Sequence, residues 1–177
     1  PGAAGTGLSE SSPRMGYSLA MGAYQDVGVA NRRVATLSRQ IPGVVFASVP
    51  VEVNGRVFHR VLAGPALDAA DASRLSGLVA QTAGVDPSTW VIRETPWAFP
   101  VGEMDDLDAA DRRVSTLSEL GVPAYVLAVD YSDGSTRYRV YTGAYSSEEE
   151  ASHLSRMLAE RGLGAASLSD RTGRLPE

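Results

Sequence analysis

The chain has 177 residues, enough for one domain or two small ones, and a formal net charge of −5. All 16 basic residues are Arg and Cys is absent, which excludes a phosphate-binding or Schiff-base Lys, a thiol nucleophile, disulfides and zinc–thiolate sites. The acidic balance argues against a nucleic-acid partner, and no apolar run approaches the roughly 18 residues of a membrane span, so any anchor is expected outside this sequence.

Residues 1–16 are rich in Gly, Ala and Ser and are expected to be flexible unless something holds them. Tyr17 to Tyr24 reads as a first strand, and Asp26 is placed to cap the helix that follows. Ala30, Val34, Leu37 and Ile41 recur at helical spacing and give that helix one buried stripe, which Pro42-Gly43 ends. Val44 to Val53 and Arg56 to Gly64 flank Asn54-Gly55, a type I′ hairpin signal. Asp68 opens a second helix with Ala72, Leu75, Leu78 and Val79 on its apolar face, and Thr89 to Arg93 is a fourth strand.

The same plan then repeats. Trp97 to Gly102 is a strand, and Ala110, Val114 and Leu117 form a helical stripe. Val122 to Tyr131 and Thr136 to Gly143 flank Asp133-Gly134. Ser147 and Glu150 form a capping box for a helix that buries Ala151, Leu154, Met157 and Leu158. Gly164 to Ser169 is the last and weakest strand, and 171–177 is a tail.

Self-similarity is the strongest signal in the sequence. Ala30-Asn31-Arg32-Arg33-Val34-Ala35-Thr36-Leu37-Ser38 returns as Ala110-Asp111-Arg112-Arg113-Val114-Ser115-Thr116-Leu117-Ser118, from position 30 to position 110. Ala72-Ser73-Arg74-Leu75-Ser76 returns as Ala151-Ser152-His153-Leu154-Ser155, and Asn54-Gly55 as Asp133-Gly134. Three matches in one order indicate duplication. The expected fold is α+β, two ferredoxin-like or RNP-like βαββαβ modules at 17–94 and 95–170. Each is a four-stranded antiparallel sheet with two helices on one face. The other face is then free for a ligand, a partner or the sister copy.

Arg60-Val61-Leu62-Ala63-Gly64-Pro65, its echo Arg139-Val140-Tyr141-Thr142-Gly143-Ala144-Tyr145, and Met21-Gly22-Ala23-Tyr24 resemble the motifs of SPOR domains. The resemblance implies a non-catalytic bacterial cell-envelope module that binds peptidoglycan glycan strands on the helix-free sheet face in the periplasm. It implies that Phe58, Arg60 and Leu62 lie on that face in copy one, and Arg137, Arg139 and Tyr141 in copy two. Aromatic faces stack on sugar rings, and Arg donates to acetamido and carboxylate groups. Where the family commonly carries a glycan-facing Gln, this chain has Ala20 and Pro100. The competing expectation is therefore a structural accessory subunit of a membrane-associated complex, contacting protein subunits through a SPOR-like fold that has lost its sugar site.

No cofactor, metal or catalytic residue is expected. Glu103, Asp105, Asp106, Asp108 and Asp111 lack the spacing of a calcium loop and suit a helix N-terminus. His59 and His153, the only histidines, occupy non-equivalent repeat positions. Arg56-Val57-Phe58-His59-Arg60 lacks the aromatic pattern of an RNA-recognition strand.

Overall fold

The computed structural model describes residues 9–164 and 167–177. Copy one runs β1 (Tyr17–Tyr24), α1 (Val27–Gln40), β2 (Phe46–Val53), β3 (Arg56–Ala66), α2 (Ala69–Ala83) and β4 (Val91–Glu94). Copy two runs β5 (Trp97–Met104), α3 (Leu107–Glu119), β6 (Tyr125–Asp130), β7 (Thr136–Tyr145), α4 (Glu148–Glu160) and β8 (Ser169–Asp170). The sheets have matching orders, β2-β3-β1-β4 and β6-β7-β5-β8, and every pairing is antiparallel. The α+β duplication read from the sequence is the architecture of the chain.

Local chemistry sets the helix boundaries. The Asp26 carboxylate accepts from the amides of Gly28 (2.7 Å) and Val29 (3.4 Å), and Asp68 from Asp71 (2.8 Å). Asp106 accepts from Ala109 (2.7 Å), and the Ser147 hydroxyl from Glu150 (3.2 Å). Each satisfies an amide that the first helical turn leaves free. The Asn54-Gly55 turn has both φ values positive, 51° and 73°, as a type I′ turn requires. The second hairpin differs. The Gly134 amide donates to the Tyr131 carbonyl and only Gly134 has positive φ, so a type I turn followed by a left-handed glycine joins β6 to β7.

The last strand is shorter and later than its sequence range. Of Gly164 to Ser169 only Ser169 is in it, and residues 165–166 lie outside the described residues. β8 pairs Asp170 with Trp97 and Ser169 with Ala98, nothing more.

The two copies stack head to tail. α1 and α2 cover one face of the first sheet through Leu19, Leu37, Val61 and Val79. The opposite face, carrying Ala20, Val49, Val51 and Leu62, shares a core with Leu154 and Leu158 of α4 and with Phe99 and Val140 of the second sheet. Helix α4 is thus sandwiched between the two sheets. Arg156 pairs with Glu52 at 2.6 Å across this junction, and the Tyr145 hydroxyl donates to the Pro50 carbonyl at 2.7 Å. A head-to-tail contact uses a different face of each copy and leaves one of each unmatched. What remains is the outer surface of α1 and α2, and the helix-free face of the second sheet.

The second of these is closed by the chain's own ends. From Ser9 onward the segment expected to be flexible is hydrogen-bonded, as is the start of the tail; residues 1–8 lie outside the described residues. The Ser11 amide donates to the Asp130 carbonyl, Gly173 to Pro13, and Met15 to Arg171. Ala128 and Arg174 exchange both backbone hydrogen bonds, extending the β6 edge. The two terminal segments form a strap across the second sheet.

Candidate functional site

Arg60 is paired across β1 with Ala23, and Leu62 with Ala20, which puts Phe58, Arg60 and Leu62 on the helix-free face of copy one. That face is where α4 packs. Leu62 is buried, Phe58 is half-buried against the shared core, and the Arg60 guanidinium approaches Glu150 of α4 at 3.8 Å. One terminal nitrogen of Arg60 has no hydrogen-bond partner among the described residues. Burial, reinforced by nearby Arg93, lowers the proton affinity of Arg60, while Glu150 and Tyr145 oppose this.

In copy two, Arg137, Arg139 and Tyr141 share the helix-free face, and the strap lies over it. Tyr141 is fully buried, stacked on Tyr125 with centroids 6.1 Å apart, and its hydroxyl accepts from the Thr172 amide at 3.2 Å. Arg139 bonds to Glu10 of the strap at 2.5 Å, to Glu103 at 2.9 Å, and to the hydroxyls of Tyr131 (3.0 Å) and Tyr141 (3.1 Å). Burial works against its charge, but these hydrogen bonds outweigh it and hold the guanidinium firmly protonated. Arg137 stays at the surface, 3.9 Å from both Glu103 and Asp105. The six residues therefore form two separate groups, not one continuous surface, and five of them already have protein neighbours across the face.

Three members of the acidic cluster are likewise engaged. Glu103 and Asp105 meet arginines, and Asp106 caps α3. Among the described residues no group of three or more His, Asp or Glu is arranged to hold a metal ion. No helix of the described residues is long and apolar enough to cross a membrane.

Two features escape a one-dimensional reading. The first is Arg171. It lies where both copies and both termini meet, 2% exposed, donating to the carbonyls of Met15 (2.9 Å) and Tyr17 (2.9 Å) and the hydroxyls of Ser18 (3.0 Å) and Thr95 (3.2 Å). Its position in a short terminal segment gives no signal of such burial. The second is the convergence of the two histidines. His59 of β3 and His153 of α4 line one groove between the copies, with Arg161 at its border.

This groove predicts a pH dependence. Burial, then the proximity of His153, holds His59 below its ordinary value of 6.5, with Asp26 pulling the other way. The unfolded chain then binds this proton more readily than the folded one. Stability is full above about pH 6.5 and is lost as pH falls through the folded value. Thermal melts at pH 7.5 and pH 5 are expected to show a lower midpoint at pH 5, and His59→Gln is expected to reduce that difference. Asp130, held below 3.8 first by its hydrogen bond from Arg174, acts only in a more acidic window.

Comparison with protein families matches the SPOR domain twice, over residues 13–92 and 94–168. No curated protein and no solved structure matches the chain.

Proposed function

The chain belongs to the SPOR domain family, in two consecutive copies, and on that premise we propose that it is a non-catalytic bacterial cell-envelope module binding peptidoglycan glycan strands in the periplasm. SPOR domains are peptidoglycan-binding modules, and the double match across nearly the whole chain is the observation that carries the reading. The third-strand Arg of each helix-free face has the donor chemistry for the acetamido and carboxylate groups of such a glycan, although Arg60 lies beneath α4 and Arg139 is bonded to Glu10 and Glu103. The covered state of those faces restricts where a strand could lie.

Cosedimentation with amidase-treated sacculi, stripped of stem peptides, tests the proposal. The intact chain is expected in the pellet, and to be released by soluble denuded glycan. A chain that stays in the supernatant while remaining folded rejects glycan binding.

A second reading has its own support. Of the six residues that the family pattern assigns to the ligand, only Arg137 lies at the open surface, and Ala20 and Pro100 stand where a Gln is usual. These observations favour an accessory subunit of a membrane-associated complex whose sugar site is lost. A folded chain that ignores sacculi but is retained by protein subunits of the envelope is the result this reading expects.

A further inference from the structure

The α4 helix and the strap leave one margin of the helix-free surfaces open. Strand β4 is the outer strand of the first sheet, and Arg93 pairs with Ser18 across from it, on the helix-free side. Between β4 and the first residues of β5 lies a cleft of about 580 Å³. Its walls include Arg93, Val91 and Ile92 from copy one, Trp97 and Ser146 from copy two, and Arg14 from the strap.

The chemistry of these walls is divided. Val91 and Ile92 are exposed, and Trp97 is half-buried. Such apolar surface suits the face of a sugar ring better than a small inorganic ion. The cationic side is Arg93, whose Nε is buried and hydrogen-bonded to nothing among the described residues. Arg60, near enough to be affected by the charge of Arg93, also has an unpartnered nitrogen. Arg60 faces Glu150 at 3.8 Å and does not line the cleft, which leaves Arg93 as the guanidinium there that no ion pair within 4 Å neutralises among the described residues, and such a group suits an anionic acceptor. Arg14 is different, being paired with Asp170 at 3.0 Å. The Ser146 hydroxyl donates to the Glu94 carbonyl and is also committed. Glu94 lines the same cleft, and its negative charge sets a limit on ligand charge.

We propose that this inter-copy cleft binds one carboxylate-bearing sugar residue of a glycan, its carboxylate on Arg93 and its ring against Trp97. The site rests on the glycan reading above but differs from the two faces that the family pattern indicates. It exists only because two copies are joined, since each contributes one half of the contact.

Titration of the intact chain with soluble denuded glycan, which carries lactyl carboxylates, tests the site by calorimetry. Oligomers of N-acetylglucosamine, which carry none, serve as the second probe. Denuded glycan is expected to bind at least tenfold more tightly than the uncharged oligomer. Arg93→Gln is expected to abolish that preference, and Trp97→Ala to weaken both ligands. Arg74→Ala, on the exposed side of α2, serves as the control and is expected to change neither. If the wild-type chain binds neither probe, the glycan function itself fails. If it binds and Arg93→Gln leaves the affinities unchanged, the function stands and the cleft is not the site. Should Trp97→Ala fail to fold, Arg93→Gln alone decides.

Discussion

Replacing Arg171 with Leu is expected to lower unfolding stability by about 3–4 kcal/mol. The side chain holds five neutral oxygens from four stretches of chain: Met15, the Tyr17–Ser18 pair, Thr95 and, at 3.5 Å, the Tyr125 hydroxyl. No carboxylate is among these partners. Its favourable contribution therefore comes from hydrogen bonds to buried and half-buried groups, and its removal leaves the Met15 and Tyr17 carbonyls without that donor. Thr95 and Ser18 still bond to each other at 2.8 Å, which limits the loss. Arg171→Lys is expected to recover less than half of it. The Arg171 bonds leave from Nε and both terminal nitrogens, and a single ammonium cannot reproduce that fork. Urea denaturation measures both variants. Faster amide exchange at Met15 in Arg171→Leu would show that the strap loosens with its anchor. A loss below about 1 kcal/mol would reject the anchoring role.

Tyr145→Ala is expected to cost about 4 kcal/mol and to weaken both copies together. The residue ends β7 and is fully buried in the shared core. Its ring meets Phe99 edge-on at 6.2 Å and 68°, and its hydroxyl reaches Pro50 of the other copy. Burial pushes the Tyr145 phenol well up, so it remains a neutral donor. Gly143, at φ 82°, permits this placement, because a side chain there would collide with the Tyr145 ring. Tyr145→Phe keeps the ring and is expected to cost about 1–2 kcal/mol, for the lost bond to Pro50. One thermal transition, shifted down as a unit, is the expected calorimetric result. Two separate transitions, or a loss under about 1.5 kcal/mol in Tyr145→Ala, would show that the copies do not depend on this junction.

The repeat makes the difference between local and tertiary information concrete. Leu78 of α2 and Met157 of α4 occupy equivalent positions in the two copies. Leu78 is 49% exposed, whereas Met157 packs against the shared core. Their apolar stripes read alike, yet only α4 has a second sheet across from it. Phe58, Arg60 and Leu62 show the same limit. Their alternation along β3 placed them on the helix-free side, but could not say that a helix from the other copy would cover them. Arg139 could be assigned to a face from its strand position, but its bond to Glu10 joins residues 129 positions apart.

The amino-acid sequence alone was enough for the duplication, the βαββαβ order, the Asp26, Asp68 and Ser147 caps and the Asn54-Gly55 turn. Each depends on residues close along the chain, where propensity, capping and side-chain period act directly. Tertiary structure alone decided the stacking of α4 between the sheets, the strap over copy two, the burial of Arg171 and the meeting of His59 with His153. These depend on which apolar faces find each other across long stretches of chain. Two copies with similar patterns offer equivalent faces, and only the packed molecule shows which one is used.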